Sequence, residues 1–144
     1  MTVDLKKLIR RWFQEVWVER RVETIDELMA EDVIVHGYSP EVRGRAAFKE
    51  FHRSFCEAFP DMKITVEITL QEGDLVVHHS TVEGTHSGTL FGIPPSRRFV
   101  KFTGTGIARF KDGQFVEAWD QYNFLEMYGQ LDALEHISAM RRAR

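Results

Sequence analysis

The sequence predicts an α+β domain in which helices come first and a strongly curved sheet of hairpin-linked strands follows. Apolar residues recur at helical spacing in residues 4–20 and again in residues 44–59. From Met62 onward the spacing changes to alternation between apolar and polar residues, the pattern of a half-buried strand. Helices followed by a run of strands are typical of α+β proteins, whose helices cover one face of the sheet.

Two amphipathic helices carry most of the predicted core. The first has Trp17 near the end of its apolar stripe, and the second runs to Phe59, where the following Pro60 stops it. A short helix to about Ala30 and a short strand over residues 33–36 lie between them. We expect both stripes to pack on the sheet, with Trp17 also lining a cavity if its helix covers one. The second stripe is wide and aromatic, and it consists of Phe48, Phe51, His52, Phe55 and Phe59.

Four further strands are predicted over residues 62–71, 75–86, 99–110 and 113–124. Lys111, Asp112 and Gly113 form a hairpin turn before the last of them. A sheet bent round helices leaves an apolar cavity at its open end. In the first of these strands one face is expected to be buried, and its members are Met62, Ile64, Val66, Ile68 and Leu70. Glycines in the strand region favour bulges and strong bending, at Gly84, Gly88, Gly104 and Gly106.

The last strand places a carboxylate on an apolar face. Alternation puts Asp120 on one side with Val116, Ala118, Tyr122 and Phe124. A carboxylate taken out of water costs several kcal/mol unless it is paired, and its pKa rises in response. Asp120 is therefore a candidate general acid or base in a dry pocket. The alternative is a structural carboxylate at the rim of the sheet that accepts backbone hydrogen bonds. Phe115 and Trp119 are predicted on the opposite, outer face.

The histidines are the next candidates for chemistry. His78 and His79 are adjacent in one strand, so only one of them can face the cavity unless a bulge intervenes. His86 precedes a proline loop, where its imidazole would be able to donate to an oxygen that gains charge. The alternative for each is an ordinary polar residue in a strand. A zinc site built from His36, His79, His86 and Asp120 lacks tight ligand spacing, so no metal is predicted.

Composition narrows the class of protein. The 144 residues, 43% of them hydrophobic, correspond to a single domain over residues 1–144. The net charge of −3 gives no basic excess, and the arginine-rich end at residues 141–144 is short, so no nucleic-acid partner is expected. The single Cys56 excludes an internal disulfide and fits a cytoplasmic protein. Neither a signal peptide nor a membrane-spanning run is visible.

Several stretches resemble the SnoaL-like polyketide cyclases. They are Ala58–Asp61, Gly84–Arg97 with its paired prolines, Gly106–Gly113 and Glu117–Asp120, and the similarity extends over nearly the whole chain. The resemblance implies the cone-shaped, cystatin-like α+β fold of the nuclear-transport-factor-two-like superfamily, with an antiparallel or mixed sheet wrapped round N-terminal helices. The chain departs from the family pattern at Ser96 and Arg97, where threonine and glycine are usual. It departs again at His79 and Ser80, where arginine and tryptophan are frequent.

The resemblance also implies a function. In the family, the aspartate matching Asp120 is the acid/base of an intramolecular aldol condensation on a polyketide ester, without metal or organic cofactor, and His86 matches a histidine near it. A homodimer or homotetramer formed through the outer sheet face is also implied. The alternatives are a related isomerase, dehydratase or hydrolase, or a non-catalytic module that binds a hydrophobic small molecule or a partner. Besides Asp120 and His86, the expected substrate-binding residues are His36, His79, Trp17, Phe51, Phe55, Phe91 and Tyr122.

Overall fold

The computed structural model describes residues 3–135 and confirms the α+β class. Both the arginine-rich end and His136 lie outside these residues. The helices are α1 (Leu5–Trp12), α2 (Val22–Leu28), α3 (Arg45–Ala58) and α4 (Phe124–Gln130), and a π-helical segment, Phe13–Val18, continues α1. The strands are β1 (Met29–His36), β2 (Val42–Arg43), β3 (Lys63–Glu72), β4 (Leu75–Thr85), β5 (Phe99–Lys111) and β6 (Gln114–Tyr122).

The six strands form one mixed sheet in the order β2-β1-β6-β5-β4-β3. β1 runs parallel to β6, and the other neighbours are antiparallel. The predicted hairpin at Asp112 and Gly113 is present, and both residues have the positive φ that such a tight turn requires. β6 therefore lies in the middle of the sheet, between the first strand of the chain and the long β4–β5 hairpin.

One face of the sheet is covered by the helices. Phe13 and Trp17, both in the π-helical segment, are buried between the helices and the sheet. π-helical turns recur at functional sites. The imidazole Nε2 of buried His52 donates to the Val16 carbonyl over 2.6 Å, so α3 satisfies a backbone acceptor in this segment. His52 is thus buried with the rest of the stripe that was expected to pack on the sheet. Among residues 3–135, no helix is long and apolar enough to cross a membrane.

β3 departs from the predicted alternation. Glu67 is an extra residue in its pairing with β4, so Val66 lies opposite Ser80 while Ile68 lies opposite His79. A bulge of this kind moves every later side chain to the other face. Ile68 and Leu70 are consequently 53% and 62% exposed, and the prediction that they share the buried face of Ile64 was wrong.

Candidate active site

An apolar cavity lies between the helices and the sheet. Its empty space, counted out through the open mouth and including solvent there, is about 720 Å³. Aromatic side chains from α1, the π-helical segment and α3 form one wall, and side chains of β4, β5 and β6 form the other. Among residues 3–135, and apart from two tryptophans, the lining side chains that carry polar atoms are Tyr38, His78, Asp120 and Tyr122.

Asp120 faces this cavity from β6, as the alternation predicted. Its Oδ2 accepts a hydrogen bond from the Tyr38 hydroxyl over 3.2 Å. Burial among apolar groups raises the pKa of Asp120 to about 7, and the Tyr38 hydrogen bond limits the rise. The carboxylate is nevertheless half-buried because it borders the open cavity. A carboxyl group with this pKa exchanges protons near neutrality, as a general acid or base must.

His78 shares a row of the sheet with Asp120. The register pairs His78 with Gly106 and Gly106 with Asp120, so the three residues lie side by side on β4, β5 and β6. A Cβ at Gly106 would lie 2.6 Å from Asp120 Oδ1 and closer still to His78 Nε2, which puts those two atoms within about 5 Å of each other. The missing side chain of Gly106 therefore makes the space that both functional groups enter.

The next row of paired residues also has a glycine of β5 between a residue of β4 and a residue of β6. Ser80 pairs with Gly104, and Gly104 pairs with Tyr122, whose ring occupies the position that a Cβ at Gly104 would need. β4 and β5 remain in unbroken register through both glycines. The prediction that Gly104 and Gly106 mark bulges was therefore wrong, because they accommodate neighbouring side chains instead. The register shifts of β3 and β6 lie elsewhere.

The predicted aromatic wall is largely present. Trp17, Phe51 and Phe55 line the cavity from the helices, and Tyr122 lines it from β6. Phe91 does not line it. Its ring packs on Phe55 and on Phe124, with ring centroids 5.6 and 5.7 Å apart, so it supports the wall from outside.

The structure does not bring His86 to Asp120. His86 follows the last residue of β4, eight residues beyond His78, which is on the order of 25 Å along a strand. It is fully buried, and its Nδ1 accepts from the Ser96 backbone N–H over 3.2 Å. Its pKa is lowered by burial, although the nearby Gly88 and Ile93 carbonyls oppose this. Within residues 3–135, its Nε2 has no acceptor in hydrogen-bonding geometry. His86 therefore holds the proline loop, and its predicted role beside Asp120 was wrong.

Two more predicted binding residues lie on the outer face. His79 bonds Thr105 over 2.8 Å on the side of the sheet away from the cavity, since its neighbour His78 takes the inward position. His36 bonds Glu41 and Glu117, and its pKa is raised by Glu117 first and by Glu41 second. Neither side chain reaches the cavity, so both predictions were wrong. The sequence had identified the 78–79 pair, but alternation alone does not say which member points inward.

A bulge also relocates Phe115. Val116 is an extra residue in the pairing of β6 with β5, so Phe115 points to the same side as Ala118. Phe115 packs against Trp12 with ring centroids 4.5 Å apart and is buried in the core. Its predicted place on the outer face was wrong. Trp119 is on that face, where it stacks on His36.

No group of three or more histidine, cysteine, aspartate or glutamate side chains within residues 3–135 is arranged to hold a metal ion. His36, His79, His86 and Asp120 are distributed over two faces and two ends of the sheet.

The mixed sheet, the helices on one face and the cavity between them define an α+β cone of the nuclear-transport-factor-two-like class. The chain belongs to the SnoaL-like polyketide cyclase family, whose model matches residues 7–131. No curated protein matches the sequence.

Solved structures agree with this assignment. A protein from Jannaschia sp. CCS1, described as a SnoaL-like polyketide cyclase, has a TM-score of 0.81 at 25% identity, over 89% of this chain and 91% of its own. IdmH from Streptomyces antibioticus, described as a polyketide cyclase, has a TM-score of 0.77 at 29% identity, over 90% and 99%. TsrD from Streptomyces laurentii, with a TM-score of 0.84 at 24% identity over 93% and 99%, shares the fold.

Proposed function

We propose that this protein is a cyclase that closes a ring in a hydrophobic, polyketide-like ester by intramolecular aldol condensation, with Asp120 as the acid/base. The observation that carries the proposal is the position of Asp120, a half-buried carboxyl group that lines an aromatic cavity, where burial raises its pKa to about 7. Family membership and the similarity to IdmH support the reaction class. The reaction needs one proton acceptor near neutrality, and Asp120 provides it.

In the proposed reaction a single proton moves from the substrate to Asp120 and later returns to the substrate. The Asp120 carboxylate removes a proton from a carbon next to a carbonyl group, and the C–H electron pair becomes part of an enolate. The enolate carbon attacks a second carbonyl of the same molecule, forming the C–C bond and an alkoxide. The alkoxide then takes the proton back from Asp120, so the enzyme ends unchanged. Because the cavity is apolar, water does not compete for the enolate.

Substitution of Asp120 by Asn tests this function. The amide keeps the shape of the side chain and accepts the Tyr38 hydrogen bond, but it does not accept a substrate proton. We expect turnover of a polyketide ester to fall by about 10²- to 10⁴-fold, measured by product formation on chromatography. Full activity in the Asn variant on any ester that the wild type cyclises would contradict the proposal. In that case non-catalytic binding of a hydrophobic small molecule becomes the better account.

We also propose, following the family resemblance, that two or four copies assemble through the outer sheet face. One row of paired positions crosses five strands there, and it consists of Leu70, Val77, Ile107, Trp119 and His36. Ile107 is 37% exposed at the centre of this row, in which every member but His36 is apolar or aromatic. We expect light scattering at micromolar concentration to give a dimeric or tetrameric mass, and Ile107→Glu to give a monomer. A monomeric wild type contradicts the assembly.

We also propose that the protein is cytoplasmic, because its single cysteine, Cys56, cannot form an internal disulfide.

A further inference from the structure

The space above Gly106 has a proton acceptor on one side and a hydrogen-bond donor on the other. Asp120 Oδ1 and His78 Nε2 lie within about 5 Å of each other across it, and in the described part of the chain no hydrogen bond joins them. Both side chains line the cavity. A small group of a bound molecule would therefore touch both at once.

The neighbours of each side chain determine which atom is available. Asp120 Oδ2 is occupied by the Tyr38 hydroxyl, which leaves Oδ1 for a substrate. His78 Nδ1 lies 3.4 Å from the hydroxyl oxygen of fully buried Ser80. When Ser80 donates to Nδ1, the imidazole proton resides on Nε2, which points toward the space above Gly106. The ring of Phe13 packs on the imidazole at 4.6 Å and fixes its orientation.

We propose, on the basis of the acid/base function above, that His78 and Asp120 bracket an enolisable carbonyl group. Asp120 Oδ1 takes the proton from the α-carbon, and the C–H electron pair moves into an enolate. His78 Nε2 donates a hydrogen bond to the oxygen on which the negative charge develops. In the aldol reaction the proton then passes from the Asp120 carboxyl group to the new alkoxide, and in a ketone without a second carbonyl it returns to the enolate carbon. His78 keeps its own proton throughout.

The upper limit of about 5 Å on the distance between Asp120 Oδ1 and His78 Nε2 is compatible with this arrangement. A base attacks an α-carbon from above the plane of the forming enolate, whereas a donor approaches the oxygen within that plane. With the α-carbon about 3 Å from Oδ1 and the oxygen about 2.9 Å from Nε2, the two protein atoms come to lie about 5 Å apart. Preorganised donors of this kind are among the largest contributors to catalysis.

The charge state of His78 suits the role as well. Burial, with a smaller effect of His79, lowers the pKa of His78 to about 4, so the ring is neutral wherever Asp120 titrates. A protonated imidazole would instead pair with Asp120 and stabilise the carboxylate, which would weaken it as a base. A neutral ring donates one N–H and leaves the basicity of Asp120 intact.

Hydrogen exchange on a simple aromatic ketone tests the inference without the natural substrate. In D₂O, the wild-type protein should accelerate exchange of the α-protons of 2-tetralone, followed by proton NMR. We expect Asp120→Asn to abolish the acceleration and His78→Leu to lower the limiting rate by about 10²-fold with little change in the half-saturating concentration. His78→Gln, which keeps an N–H donor, should retain more of the rate. The matched control is His79→Leu, the same change on the outer face, which should exchange like the wild type.

The outcomes separate the two proposals. Acceleration that is lost in Asp120→Asn but unchanged in His78→Leu would overturn the role of His78 alone. A wild-type protein that does not accelerate exchange at saturating 2-tetralone would overturn the acid/base function together with it. If His78→Leu does not fold, nitrogen-15 NMR of the wild type decides. A neutral ring protonated on Nε2 at pH 7 supports the inference, and protonation on Nδ1 overturns it.

Discussion

At the residue scale, the chemistry of the site depends on how the two oxygens of Asp120 are used. Oδ2 receives the Tyr38 hydroxyl, and Oδ1 faces the space above Gly106. A single hydrogen bond is too weak to offset burial among aromatic rings, and the pKa of the carboxyl group remains at about 7. With more donors, Asp120 would be a stable carboxylate and a poor base.

Replacing Tyr38 by Phe should make Asp120 more basic. The Tyr38 hydrogen bond lowers the pKa of Asp120, so its loss leaves only the effect of burial, and the pKa should rise above its wild-type value. Carbon-detected NMR of the carboxyl group, with the two proteins titrated side by side, measures the change. An unchanged or lower pKa in Tyr38→Phe would show that the hydroxyl does not contact the carboxyl group in solution.

The sequence was sufficient to find Asp120 but not its partners. A charged residue in an apolar register is visible in the pattern of one strand. Tyr38 comes from the segment after β1 and His78 comes from β4, so their proximity to Asp120 depends on strand order and register. Gly106 was a clue in principle, because a glycine inside a strand also marks the close approach of other groups.

At the element scale, β5 is the strand that makes room for the site. Gly104 and Gly106 share its inward face, and each faces functional side chains on a neighbouring strand. Their contribution is the absence of a Cβ at two positions two residues apart. The strand therefore contributes the floor of the cavity, and β4 and β6 contribute the polar side chains that border it, namely His78, Asp120 and Tyr122.

A methyl group at Gly104 should disturb the cavity indirectly, by displacing a neighbouring side chain that lines it. In Gly104→Ala the new Cβ would overlap the ring of Tyr122, which must move, and we expect a loss of about 1–3 kcal/mol in unfolding free energy. The matched control is Gly129→Ala in α4, where no atom of residues 3–135 outside the helix's own backbone lies within 4 Å of the added group, and helix propensity predicts a gain of up to about 1 kcal/mol. Denaturant unfolding of both variants measures the difference. Equal effects at the two positions would contradict this account of β5.

The elements themselves were predictable, whereas the faces of two strands were not. Helical and alternating periodicities identified α1, α3 and the strands from β3 to β6. β3 and β6 each contain one extra residue, Glu67 and Val116 respectively. On one side of each extra residue, the side chains of the strand point to the opposite face of the sheet from the one that simple alternation predicts. Bulges leave the hydrophobic pattern almost unchanged while they exchange the two faces. This is why Phe115 and Ile68 were assigned to the wrong sides.

At the scale of the whole molecule, the raised pKa of Asp120 links folding to pH. Its folded pKa of about 7 exceeds the unfolded value of about 3.9. Between these values the folded state binds more protons, so this contribution to stability is complete below pH 4 and is lost as the pH rises to 7. Other groups shift too: the lowered pKa of His78 acts in the opposite direction, and the raised pKa of His36 acts in the same direction.

A comparison with Asp120→Asn isolates the contribution of this carboxyl group. The variant should gain stability relative to the wild type as the pH rises from 4 to 8, by up to roughly 4 kcal/mol, because only the wild type must bury a charge. Thermal or denaturant unfolding at several pH values gives the difference. A constant difference between the two proteins across this range would mean that Asp120 has an ordinary pKa.

The central claim is that Asp120 is a carboxyl group kept near neutrality by an apolar cavity, and its titration tests that claim most directly. Carbon-detected NMR of the wild-type protein, with the Asp120 resonance assigned by its absence in Asp120→Asn, yields the pKa without a substrate. The structure predicts a midpoint of about 7. A midpoint at or below the ordinary value of about 3.9 would contradict it, because Asp120 would then be a solvated or well-paired structural residue.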